Sequence, residues 1–193
     1  VAGTGDRGLK IHDTSNWTEI TTIVIPTDIE RCARFLPDSS GLIVGYYTGD
    51  LRLWDTTTWT LMRTFDGPPG NDGVTGVDVS SDGLRVVSCD ALFRVRVWDL
   101  ITTQELAVSP SVRHPTAGSS SGSDAPNAIA ISHDGQVIAT TWRNDIVMLN
   151  ASDASIRGWV LGHTSRPKSV RFSNDDNVLY SVSGDRTLRF WRK

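Results

Sequence analysis

Cysteine is scarce in this chain. There are two among 193 residues, Cys32 and Cys89, with no metal-ligand or redox spacing between them. That pair supports neither a disulfide framework nor a thiolate metal centre, and it points to a reduced intracellular setting, the cytoplasm. Excess charge is equally scarce. A formal net charge of −3 leaves no basic footprint for nucleic acid or for an anionic membrane surface. No apolar run approaches the roughly 20 residues of a membrane span, and no targeting signal can be read at the start. Histidine occurs four times, at His12, His114, His133 and His163. No His pair at helical spacing and no carboxylate cluster accompanies these histidines, so neither a metal site nor a nucleophile–base set is expected. The stretch Gly3–Gly8, "GTGDRG", looks like a phosphate-binding loop, but "LKIHD" follows it as a strand where such a loop needs a helix. A hairpin turn is the better reading.

What the chain does have is tryptophan, seven in all, falling mostly at equivalent places. "LRLWD" closes at Asp55 and "VRVWD" at Asp99, and weaker copies close at Asp13, Asn150 and Arg192. The residues before these endings are His12, Trp54, Trp98, Leu149 and Trp191, at spacings of 42, 44, 51 and 42. A self-similar period in the low forties marks four-stranded antiparallel blades of a β-propeller. The fold class is therefore all-β, an incomplete propeller of four to five blades occupying residues 1–193 as one domain. The last unit shows the plan. Lys168–Phe172 alternates apolar and polar residues as a half-buried strand does, "SNDDN" turns, Val178–Ser183 is a second strand and Thr187–Trp191 a third. The long spacing comes from "HPTAGSSSGSDAP" at 114–126, a Ser/Gly/Pro-rich insertion expected to be a mobile surface loop.

These residues resemble the WD40-repeat propellers, and the resemblance covers essentially the whole chain. It implies a buried polar chain inside each blade, carried in the last unit by His163, Ser183 (or Ser181 on the same face), Asp185 and Trp191. A buried carboxylate needs partners and a buried indole N–H needs an acceptor, so such a chain is physically sound. The other units depart from it: Thr48 stands for the Asp in unit two, Asp90 comes two residues early in unit three, and Arg143 and Leu149 replace Asp and Trp in unit four. Only the last of the five units is expected to form the full chain, the rest relying on apolar packing. Val1 reads as lying inside a second strand and Lys193 as following a third, so the expectation is a piece of a larger ring with open edges, a complete five-bladed ring being the alternative.

The resemblance also implies binding of peptides or domains on one rim, through residues opening the first strand and residues before the turn Asp. In this sequence the partner-binding candidates are Arg31, Tyr47, Asn127, Trp142, Arg166 and Lys168. Tyr47 and Trp142 are large where the repeat is small or polar, and aromatic and Arg anchors dominate interface hot spots. For Trp142, inward filling of the space left by Leu149 is the competing reading. Trp17 and Trp59, each four residues after the Asp of its unit, form a second candidate patch on the hairpins joining third and fourth strands. A propeller enzyme would need acids and histidines along the inner strands, and "CARFL", "GVDVS", "AIAIS" and "SVRFS" offer only Asp78. The reading is thus a non-catalytic protein-interaction scaffold or sensor module. It has no cofactor or metal, its partners are proteins or peptides, it touches neither nucleic acid nor membrane, and it self-associates through open blade edges. The alternative is the substrate-recognition propeller of a ubiquitin ligase or a similar multiprotein assembly.

Overall fold

The computed structural model describes residues 2–3, 8–26, 28–67, 73–111 and 125–192. Residues 4–7 of the glycine loop, Pro68, Arg113, His114 with the insertion as far as 124, and Lys193 lie outside the described residues. Among the described residues eighteen strands form five antiparallel sheets, one per sequence unit. The first holds β1 (Ala2–Gly3), β2 (Leu9–His12) and β3 (Glu19–Ile23). The second runs in chain order through β4 (Glu30–Phe35), β5 (Gly41–Tyr46), β6 (Leu51–Asp55) and β7 (Leu61–Phe65). The third contains β8 (Val74–Val79), β9 (Arg85–Asp90), β10 (Val95–Asp99) and β11 (Glu105–Val108). The fourth contains β12 (Ile129–Ile131), β13 (Val137–Trp142), β14 (Asp145–Asn150) and β15 (Ile156–Val160), and the fifth β16 (Pro167–Phe172), β17 (Val178–Ser183) and β18 (Leu188–Arg192). Each sheet is a meander of sequential neighbours, the arrangement that short turn-linked strands reach most directly. The first strands β4, β8, β12 and β16 pack on one another in that order and line the inside of an arc of blades.

The core is not one mass but four interfaces. Leu9, Ile11 and Ile23 meet Leu42, Val44, Tyr46 and Trp54 between blades one and two. Ile43, Leu51 and Leu53 meet Val74, Val77, Val86 and Trp98 between blades two and three. Two further clusters join blade three to four and four to five. A middle blade is therefore covered on both faces, which is why β5 and β13 are buried at every residue instead of alternating. Contact is close enough that a Cβ on Gly45 would sit 2.6 Å from Val74 Cγ1. Blade five is covered on one face only. Its other face leaves Tyr180, Val182, Leu188 and Phe190 exposed, at positions equivalent to the buried Ile43, Gly45, Leu51 and Leu53 of blade two.

The turns repeat as faithfully as the strands. Ser39, Gly83, Gly135 and Asp176 occupy one turn position between first and second strands, all with φ between 56° and 69°. Trp17, Trp59, Thr103 and Ala154 occupy another between third and fourth strands, with φ from 56° to 62°. Each donates its N–H to the residue that closes the WD-like pentapeptide, Asp13, Asp55, Asp99 or Asn150. In three of these turns the carboxylate of Asp13, Asp55 or Asp99 also accepts local hydrogen bonds, led by the Ser15 hydroxyl at Asp13 and by the Thr58 and Thr102 N–H groups at the other two, and these hold its pKa below the ordinary value. Both cysteines are free, and burial pushes the Cys32 thiol up to about 12 and the Cys89 thiol to about 11. Such thiols act as small hydrophobes rather than nucleophiles.

Candidate functional site

The polar chain of blade five is assembled, with one correction. His163 Nδ1 lies 2.7 Å from Asp185 Oδ2, and His163 Nε2 lies 2.7 Å from Ser181 Oγ. Trp191 Nε1 donates to that same Ser181 Oγ at 3.0 Å. One direction of donation satisfies every atom: indole N–H to serine, serine O–H to His163 Nε2, and Nδ1–H to the carboxylate. Ser181, not Ser183, is therefore the serine of the chain. Trp191 pairs across the ladder with Leu179, so its ring reaches the diagonal neighbour two residues on, which is Ser181. Ser183 is one pleat too far along and bonds Ser165 O at 2.7 Å. Burial acts to raise the Asp185 carboxyl, but hydrogen bonds from Thr187, His163 and Thr164 N–H outweigh it and hold it well below 3.8.

The other blades are not held by apolar packing alone. Trp98 Nε1 donates to Ser88 Oγ at 3.0 Å, the same diagonal as Trp191 to Ser181. In blade two the corresponding residue is Val44. Trp54 Nε1 there lies near the Tyr46 hydroxyl, yet neither atom meets hydrogen-bond geometry. Blade two instead ties its entry loop to its turn with the roles exchanged. Asp28, whose side chain is buried, accepts Thr48 Oγ1 at 2.7 Å and Thr48 N at 3.2 Å, and Arg52 Nη2 lies 3.4 Å away. No signal in the sequence singles Asp28 out, because it lies outside the Gly-His position. Asp176 was also missed by sequence reasoning. It stands where blades three and four have turn glycines, and its two oxygens accept His133 N and Asp134 N of blade four, both at 2.7 Å. Its signal is the acid in "SNDD" where "SSDG" and "SHDG" carry glycine.

The rim candidates gather at one end of the inner strands. Arg31, Thr75 and Lys168 occupy equivalent places, and each is skipped by the ladder: Glu30, Val74 and Pro167 are paired, then Cys32, Gly76 and Ser169. Each is the extra residue of a β-bulge, a device that re-aims a side chain out of the pleat. Arg31 lies over the Tyr47 ring, 5.5 Å from its centroid, and both are exposed. Asn127 takes the same place in blade four, half-buried, accepting Thr141 Oγ1 at 3.1 Å. Lys168 is exposed, and Arg166 is half-buried with its carbonyl accepting Gly184 N.

Trp142 is not on this rim. It is 3% exposed, belongs to the core between blades three and four, and meets Trp159 edge-on with ring centroids 5.7 Å apart. The reason is a shortened hairpin. Trp142 pairs with Asp145 across a two-residue turn, whereas blade five places three residues between Ser183 and Thr187. The missing residue moves Trp142 back onto the strand, at the place of Tyr46, where parity points it inward. Arg143 takes the rim place, with its guanidinium 5.0 Å from the Trp142 ring centroid. Trp17 and Trp59 also separate. Trp17 is 75% exposed, while Trp59 is half-buried against the cluster between blades one and two.

No group of three or more metal-ligating side chains that could hold an ion occurs among the described residues, and no helix is long and apolar enough to cross a membrane. Comparison with known proteins matches the family described as WD domain, G-beta repeat, at residues 59–99 and 158–192. The chain is 25% identical to nuclear distribution protein PAC1 of Arthroderma benhamiae over 96% of its own length and 45% of that protein. It is 24% identical to SIR4-interacting protein SIF2 of Saccharomyces cerevisiae, over 86% of the chain and 31% of that protein. It is 26% identical to target of rapamycin complex subunit wat1 of Schizosaccharomyces pombe, over 99% of the chain and 60% of that protein. The chain thus spans less than two thirds of the length of each. WD40 repeats matched in two places, five blade-like sheets and a Trp–Ser–His–Asp chain agree: the chain carries WD40 repeats and folds as an incomplete β-propeller.

Proposed function

We propose that this chain is a non-catalytic interaction scaffold whose rim, centred on Arg31 and Tyr47, grips a peptide or domain of another protein. WD-repeat proteins serve in general as scaffolds for protein interaction, and the names of the relatives SIF2 and wat1 describe an interacting protein and a complex subunit. The observation that carries the rim assignment is the run of β-bulges. Three blades in succession or near-succession re-aim one inner-strand residue each, Arg31, Thr75 and Lys168, at the same end of the arc. The exposed Arg31–Tyr47 pair supplies a large, rigid, amphipathic contact beside them. Rigid strands fix these side chains before binding, so little conformational entropy is lost on association.

The test is quantitative affinity capture with the chain carrying Arg31→Ala and Tyr47→Ala together. Partners held by the native chain should be depleted at least tenfold, as expected for loss of about 1.4 kcal/mol or more. Trp17→Ala, on a turn at the other end of the strands, should leave capture unchanged. Depletion by Trp17→Ala and not by the double variant would move the site to the opposite end.

A further inference from the structure

A second cleft lies at the other end of the inner strands, away from Arg31. Arg34, Asp78, Ala130 and Arg171 hold one common ladder position in blades two to five, pairing with Ile43, Val87, Ala139 and Tyr180. This position is a belt around the inside of the arc. It opens on a cleft whose walls are Phe35, Phe172, Ser81, His133, Ser173 and Asn174.

The belt is unbalanced in charge. Asp78 is its one acid, and its side chain is 5% exposed. Both oxygens are engaged, Oδ1 by Arg34 Nε at 2.8 Å and Oδ2 by Ile131 N at 3.1 Å. Asp78 therefore neutralises Arg34 and has nothing left for Arg171. The Arg171 guanidinium is half-buried and donates through Nη1 alone, to the carbonyls of Ile129 and Val170 at 3.2 Å each. No carboxylate faces it among the described residues, and its Nη2 and Nε keep their donors. Arg34 meets Asp78 as an ion pair through Nε, its two Nη groups have no partner among the described residues, and its side chain lines the same cleft. A guanidinium withdrawn from water without a counter-charge is unfavourable, and its planar donor fork matches a carboxylate.

The geometry points to a site in this cleft for an acidic peptide segment, with one side-chain carboxylate received by Arg171 and Arg34 between the Phe35 and Phe172 rings. The hydroxyls of Ser81 and Ser173 and the amide of Asn174 line the path of the peptide backbone. This site is distinct from the rim of Arg31 and Tyr47, so one scaffold would hold two partners at opposite ends of the same strands.

The test uses the full 193-residue chain and a fluorescent pentaglutamate peptide, read by anisotropy at physiological salt. Pentaglutamine, trilysine and inorganic phosphate serve as the comparison ligands. The native chain should bind pentaglutamate and neither of the other peptides. Arg171→Gln should weaken binding by about tenfold or more, the loss expected for charge-assisted hydrogen bonds. Arg171→Lys should lose less, and Arg31→Ala nothing. Arg171 has no acid partner among the described residues and gives up only two carbonyl contacts, so both Arg171 variants should keep the native circular dichroism spectrum. Equal binding of pentaglutamine, unchanged affinity of Arg171→Gln, or displacement by phosphate at equal concentration would overturn the assignment.

Discussion

At the scale of single residues, what decides stability is whether each buried polar atom finds a partner. Trp98 is 3% exposed, meets Phe65 edge-on and donates to Ser88. Trp98→Ala should therefore cost about 3–5 kcal/mol in denaturant unfolding. Ser88→Ala should cost about 1–3 kcal/mol, because it leaves the indole N–H buried and unpaired. Asp185 gives the pH dependence. Its carboxyl titrates below 3.8 in the fold and near 3.8 when unfolded. Its contribution is then complete above about pH 5 and is lost as pH falls below 3.8. Asp185→Asn should lower the melting temperature at pH 7, and the gap between variant and native chain should close towards pH 2. A gap that stays constant across that range would show that the carboxylate is not the source.

At the scale of elements, the turns and bulges carry the repeat more faithfully than its signature letters do. Trp17 and Trp59 share one left-handed turn position but not one environment. Trp17→Gly removes an exposed ring and relieves a backbone conformation that L-residues adopt at a cost of about 1–2 kcal/mol. It should leave the melting temperature unchanged or raised. Trp59→Gly gains the same relief but strips the cover from Leu42, Val44 and Trp54, and should destabilise by about 1–3 kcal/mol. Equal effects from the two substitutions would contradict the packing assigned to Trp59. The shortened hairpin of blade four is open to a similar check. Inserting one glycine before Trp142 should restore the blade-five turn length and shift the ring to the place of Tyr47, out of the core, with a red shift of tryptophan emission.

At the scale of the whole molecule, the two end blades differ from the middle ones in cover. The exposed face of Tyr180, Val182, Leu188 and Phe190 has the chemistry of a buried blade interface. In isolation the chain should associate with rising concentration in sedimentation velocity, because contiguous apolar faces of this kind are rarely left in water. Phe190→Lys together with Tyr180→Lys should abolish that association without changing the circular dichroism spectrum. Association that survives both substitutions would place the contact on a strand edge instead.

The blade count, the strand order within each blade and the five-unit repeat were legible in the sequence, because period-two alternation, Asp/Asn/Gly turns and the Trp-Asp ending are all local signals. So was the identity of His163, Asp185 and Trp191 as one polar chain, through the resemblance. Register was not legible. Ser181 rather than Ser183 completes the chain because of a diagonal across the β17–β18 ladder. Trp142 is core rather than rim because one residue is missing from its hairpin, and in a strand one residue reverses the face. The bulges at Arg31, Thr75 and Lys168, the inter-blade clasp of Asp176 and the belt of Arg34, Asp78 and Arg171 all join residues from different strands or blades. Local composition specified what each blade is made of. Only the packing of blade on blade decided which of its side chains meet another and which are left to meet a partner, because those encounters depend on pairing register and hairpin length.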